Sequence, residues 1–196
     1  MGIRVFAQQD LAVSLYVPGT NVNPSQHAQA VKTSYLSASN AGDVAANESR
    51  VPFSATTTSM YWLKSVEVYS RSSTGAVVAF GDSITDGTCT TLDAHDRWED
   101  LVAVRLDTAD EDASARRLGE WLRNIDRRDG HKAIVNEGIG GNTVTRAGLQ
   151  PPPDSIPGIE RLDRDVLSHS GVTQRIGNSN ALFLAFGPTG HGTRLS

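Results

Sequence analysis

The sequence predicts an α/β fold: a parallel sheet with helices on both faces, incomplete at its C-terminal end and preceded by a small β-rich segment. Three observations lead there. From Gly75 onward, short apolar runs ending in Gly-rich turns alternate with stretches of helical periodicity. Strand–helix–strand–helix order sets the strands parallel, because each helix returns the chain to the same edge of the sheet. Before Gly75 the pattern differs, with short period-two stretches separated by Asn-, Ser-, Ala- and Thr-rich connections. The chain thus divides into a β-rich segment (1–74), a partial α/β domain (75–173) and an atypical tail (174–196).

Within the first region, residues 11–17 alternate apolar with small or polar side chains and stop at Pro18-Gly19, a turn signal. Residues 31–36 form a second expected strand. Residues 61–69 form a third, with Leu63, Ser65, Glu67 and Tyr69 on one face. Together they make a small antiparallel unit that starts almost at Met1, so its first strands are expected to be missing. Tyr61, Trp62 and Tyr69 are the residues on which a carbohydrate-binding role would rest, against the commoner role of such aromatics as core.

In the second region, residues 77–80 form a buried strand. Trp98, Leu101, Val102, Arg105 and Leu106 then follow helical spacing, with Arg105 the one polar member. Leu118, Trp121, Leu122 and Ile125 repeat the stripe in a second helix. Residues 133–135 are a short strand ending at Asn136 and a Gly-rich loop. Pro151, Pro152 and Pro153 form a rigid spacer. A helix is expected from Asp154 or Ser155, with Pro157 in its first turn and Ile159, Leu162 and Val166 on one face.

Composition excludes several classes. A net charge of −4 and a pI near 5.7, with no basic stripe, argue against nucleic-acid binding. Arg116-Arg117 and Arg127-Arg128 are interleaved with acids and read as solvated helix faces. No apolar run reaches the roughly 20 residues that a membrane-spanning helix needs. The first residues lack the apolar core of a secretory signal. A single cysteine, Cys89, precludes an internal disulfide and has no metal-ligand spacing around it.

The chemistry concentrates at Gly81-Asp82-Ser83. A buried strand ending there delivers Ser83 to the carboxyl edge of a parallel sheet, where open α/β folds bind ligands. At a strand-to-helix turn its hydroxyl projects into the crevice, and nearby backbone N–H groups point the same way, as a developing oxyanion requires. Gly81 and Gly87 permit tight backbone paths, and Asp82 is placed to brace the turn. With Val77 to Phe80 before it and Ile84-Thr85-Asp86-Gly87 after it, this stretch resembles the first sequence block of the GDSL, or SGNH, serine esterases and lipases. The resemblance implies an SGNH-hydrolase-like (flavodoxin-like) domain with Ser83 as nucleophile, and neither a metal nor an organic cofactor.

A second stretch, Ile134 to Thr143, is similar to that family's second block: a strand, then Asn136, small residues, Gly141 and a polar pair. The resemblance assigns the backbone N–H groups of Ser83 and Gly141 to the oxyanion hole and leaves Asn142 as an additional polar contact. Residues 88–98 also look like family members that carry an N-terminal β-domain. His95 lies in that stretch, but the following helix leads away from the crevice, which favours a structural role.

The resemblance ends near Thr173. The third block would be an apolar strand leading into Gly-x-Asn-Asp. Gly177-Asn178 has no strand before it, and Ala181 to Phe186 leads into Gly187-Pro188-Thr189-Gly190, which has no asparagine. The final Asp-x-x-His block is missing: His191 has Pro188 three positions earlier, and His27, His95, His131 and His169 match no pattern either. The general base is therefore unassigned, and the tail reads as a frameshifted or recombined end. Two functions follow as expectations. One is a serine ester hydrolase acting on short acyl esters or acetylated carbohydrate, its base a histidine such as His191 or one from a second protomer. The other is a truncated, catalytically impaired remnant or a carbohydrate-binding protein without turnover.

Overall fold

A computed structural model describes residues 3–6, 8–69, 73–108, 131–148, 156–170, 172 and 182–185. The chain forms two compact units, Met1–Ser65 and Val66–Ser196. The division lies between Ser65 and Val66 because Glu67 already belongs to the second unit. Its carboxylate accepts the Ser170 hydroxyl at 2.9 Å and the Ser170 N–H at 3.4 Å.

The first unit holds two antiparallel pairs: β1 (Gln26–His27) with β4 (Met60–Tyr61), and β2 (Ser34–Leu36) with β3 (Ala55–Thr57). Ser59 ties the first pair together. Its hydroxyl donates to Ala28 O at 2.9 Å and accepts from Gln26 Nε2 at 3.0 Å. Residues 11–17 alternate as expected but form no strand. Leu11, Val13 and Leu15 are exposed, and no partner strand pairs with them among the described residues. A single strand cannot satisfy its backbone groups or bury a face alone. The expected strand at 61–69 ends at Tyr61, because Trp62 adopts a left-handed conformation (φ 57°) that interrupts an extended course.

In the second unit a three-stranded parallel sheet runs in the order β6-β5-β7, with β5 at Ser73–Gly81, β6 at His131–Gly138 and β7 at Leu182–Ala185. Central β5 is paired on both edges, so part of the tail expected to be atypical supplies a strand. A helical turn, α1 (Ser83–Asp86), follows β5 directly, and α2 (Trp98–Thr108) comes after a loop. The expected helix around Leu118 to Ile125 lies outside the described residues. The last helix, α3 (Gly158–Leu162), continues into a π turn at Asp163–Leu167, which the Ser168 N–H closes by donating to Asp163 O.

Both helices bury polar residues that the apolar pattern did not mark. In α2 it is Glu99 that is buried, while Leu101 and Val104 face solvent. Arg97, at the helix entrance, donates from Nε to Asp86 O at 2.9 Å and lies against Gly87, which fixes the rotation of the helix. The Asp100 carboxylate completes the N-terminus by accepting the Arg97 N–H at 3.1 Å. In α3 and the turn after it, Ile159 is exposed, whereas Leu162 packs on the core and Val166 is buried as expected, and Arg161, Asp165 and His169 are buried beside them. Pro157 precedes the first turn rather than sitting within it.

Val78, Phe80 and Val166 form the buried core of this unit, with Val135, Leu162, Leu167 and Val172 packed around them. Gly138, the last residue of β6, sits against α1 so closely that an added Cβ would meet Asp86 N at 2.2 Å. No other residue fits, because the obstacle is backbone. Among the described residues no helix is long and apolar enough to cross a membrane. Gly138→Ala is expected to destabilise the chain by about 2–3 kcal/mol through overpacking. Gly140→Ala, whose new carbon would meet Asp86 Oδ2 at 3.5 Å, is expected to change stability by less than about 1 kcal/mol. Urea titration of the two variants checks the contrast.

Candidate active site

Parallel register decides where the two sequence motifs meet. Val78, Ala79, Phe80 and Gly81 of β5 pair with Val135, Asn136, Glu137 and Gly138 of β6, so both strands end level at Gly81 and Gly138. The Ser83 turn and the Gly-rich loop at 139–142 therefore leave the sheet side by side, at its carboxyl edge.

Asp82 caps α1: its Oδ1 accepts the Ile84 N–H at 3.0 Å. At the other end Gly87 takes a left-handed conformation (φ 93°), and its N–H donates to Ser83 O. Ser83 opens this single turn and is half-buried.

Direct bonds cross-link the two loops. Ile139 N–H donates to Gly81 O at 3.2 Å, and Gly140 N–H donates to Asp86 Oδ2 at 3.1 Å. Asn136, from the β6 side, donates to Thr85 O at 2.6 Å and accepts the Gly138 N–H at 2.8 Å. Gly141 follows with φ 74° and open space where a side chain would be. Asn142 does not reach out as an additional polar contact. It is buried, donating to Ile156 O at 2.8 Å and accepting from Arg161 Nε at 3.1 Å.

Arg161 is the residue that sequence reasoning passed over. It is 0% exposed. Its guanidinium donates to Gly81 O at 2.9 Å, Glu137 O at 2.8 Å and Asp165 Oδ2 at 3.2 Å, and it lies 4.0 Å from the centre of the Phe80 ring. Burial lowers its pKa, and Asp165 opposes that effect. Burial likewise pushes the Asp165 carboxyl up, but bonds from Arg164 and Arg161 outweigh it and hold that carboxyl below the ordinary value. Spacing offered a partial signal, since Arg161 and Asp165 are four positions apart.

His169 also lies on this side. Its Nε2 is 2.6 Å from Glu137 Oε1, which ties the end of the helical segment to β6. Among the described residues no hydrogen bond joins the Ser83 hydroxyl to an imidazole. His95 is exposed in the loop after α1, with φ 52°. His191 lies outside the described residues. Cys89 is exposed rather than buried, and no group of three or more His, Cys, Asp or Glu side chains is placed to hold a metal ion among the described residues. Compared with protein-family models and with curated proteins, the chain finds no match.

Glu99 was invisible to motif reasoning as well. It is buried in α2, and among the described residues neither of its carboxylate oxygens has a hydrogen-bond partner. Burial pushes its carboxyl up to about 7; Arg97 opposes the shift, while Asp100 and Asp86 add to it. A raised carboxyl favours the folded state when protonated, so its contribution is full below about pH 4.5 and lost as pH rises through about 7. The midpoint of thermal unfolding is therefore expected to fall between about pH 5 and about pH 8, and Glu99→Gln is expected to flatten that fall. An unchanged pH slope in the variant would assign it to another group.

Proposed function

We propose that the chain is a serine ester hydrolase of the GDSL type, acting on short acyl esters or acetylated carbohydrate. The observation that carries this reading is the level ending of β5 and β6, with the Ser83 turn and the Gly141 loop cross-linked beyond it. In the proposed reaction the Ser83 hydroxyl oxygen attacks the acyl carbonyl and its proton passes to a base. The carbonyl oxygen becomes an oxyanion held by the N–H groups of Ser83 and Gly141. Collapse of that intermediate expels the alcohol, and water then releases the acid from Ser83. The substrate is a small-molecule or carbohydrate ester, and no cofactor enters the reaction.

A second reading, that of a hydrolase remnant with impaired turnover, is supported by the sequence, in which Pro188 rather than an acid stands three positions before His191. A serine hydroxyl without an adjacent base is a weak nucleophile, and an oxyanion hole acting alone leaves about 10³-fold catalysis over water.

Two measurements separate these readings. On the ester-hydrolase reading a fluorophosphonate probe labels Ser83 in folded protein, and p-nitrophenyl acetate turnover falls at least about 10³-fold in Ser83→Ala. Absent labelling, or turnover that survives Ser83→Ala, would defeat that reading. Labelling without turnover above the uncatalysed rate would favour the remnant.

A further inference from the structure

We propose that Arg161 and Asn142 are positioning residues, a buried clamp that holds the Gly141 amide at a fixed place beside the Ser83 turn. The role assigned to that amide rests on the ester-hydrolase reading; the clamp itself is a matter of geometry.

A Cβ built on Gly141 would meet no atom within 4 Å, so no side chain packs against it from that direction. Its place is decided by its two neighbours. On one side, Gly140 N–H is fastened to the Asp86 carboxylate of α1, the helical turn that Ser83 opens. On the other side, Asn142 is 5% exposed, and both ends of its amide are engaged, by Ile156 O and by Arg161 Nε.

Arg161 then connects this anchor to the nucleophile turn. The same guanidinium that holds Asn142 donates to Gly81 O, two residues before Ser83, and to Glu137 O, next to Gly138. Gly81 O thus accepts twice, from Arg161 and from Ile139 N–H of the Gly-rich loop. Three separate chain segments, ending in the Ser83 turn, in β6 and in the Gly141 loop, share one rigid planar group. A lysine ammonium is a point charge and cannot reproduce that fork. The Phe80 ring beneath and the Asp165 carboxylate fix the plane itself. The geometry matters because displacing a group by about 1 Å in a reacting site can lower rate about 10²-fold.

Residue-resolved amide hydrogen exchange on the full chain tests the clamp, using Asn142→Ala as the main variant and Arg161→Lys as the second. Asn142→Ala leaves the guanidinium its other acceptors, so the sheet is expected to stay folded. The expected result is exchange at Gly140 and Asn142 faster by about 10-fold or more, with Val78, Ala79 and Phe80 within about threefold of wild type. Unchanged loop exchange, or an equal rise in loop and strand, would overturn the proposal, since the latter is mere loss of global stability.

A second arm reads chemistry. Where the wild type turns over ester, Asn142→Ala is expected to lower kcat per phosphonate-titrated Ser83 about 10- to 100-fold, with KM within about twofold. An unchanged kcat per titrated site would overturn the positioning role. A wild type without turnover or labelling defeats the ester-hydrolase reading instead, and the exchange result still decides the clamp.

Discussion

A guanidinium taken wholly out of water must find acceptors for its donors, and in this chain Arg161 finds them in the backbone of the sheet's carboxyl edge. Its desolvation is a penalty of several kcal/mol, which only good geometry and an opposite charge repay. Asp165 supplies the charge; Gly81 O, Glu137 O and Asn142 Oδ1 supply the remaining bonds. The dependence runs both ways. Gly81 O, at the end of β5, accepts from Ile139 N–H and from Arg161, and Glu137 O in β6 accepts from Arg161 as well. A buried fork that serves both strand ends also ties α3 to them. The π turn after α3 belongs to this arrangement, since Asp165 and Val166 lie within it and are both buried.

A second hydrogen-bond system works from the opposite side of β6. Side chains alternate along a strand, so Asn136 and Glu137 face different ways. Asn136 engages α1 through Thr85 O, whereas Glu137 engages the end of the α3 segment through His169. Gly138 completes the α1 side by its close approach to the Asp86 backbone. The Gly-rich loop thus leaves β6 between two sets of ties, one to α1 and the other to the α3 segment. Ionisation of buried Glu99 would set it against Asp100 and Asp86.

Much of this was legible in the sequence wherever the cause is local. Strand β5, the turn after it and the capping role of Asp82 follow from an apolar run meeting Gly-Asp-Ser, and the structure forms all three. What sequence reasoning lost depends on contacts distant in the chain. The apolar stripe drawn through Ile159, Leu162 and Val166 took hydrophobicity as the signal of burial. The residue buried most completely on that helix is Arg161, whose partners Gly81 and Glu137 are far away in sequence. Likewise Leu101 was placed on the apolar stripe of its helix, yet Arg97 turns α2 so that Leu101 is exposed and Glu99 is buried. Asn142, which the resemblance left open to a further polar contact, is engaged by Arg161 and Ile156 O. In the first unit, alternation alone suggested strands at 11–17 and 61–69, but a strand needs a partner, which no local pattern can supply.

The tail bears on the chemistry through its strand. Leu182–Ala185 pairs with β5 in parallel, Val78 opposite Leu182 and Gly81 opposite Ala185, so three strands end at one level. Pairing on that side removes an open edge from the strand that leads into the Ser83 turn. An imidazole–carboxylate pair, His169 with Glu137, belongs to the α3 side of β6, where it fastens a helical segment to the sheet. On the ester-hydrolase proposal, a base for Ser83 is needed at the carboxyl edge, where the Ser83 turn leaves the sheet. β7 reaches the level of Gly81 at Ala185. Residues 182–185 of the tail therefore belong to the sheet, although no family motif marks them.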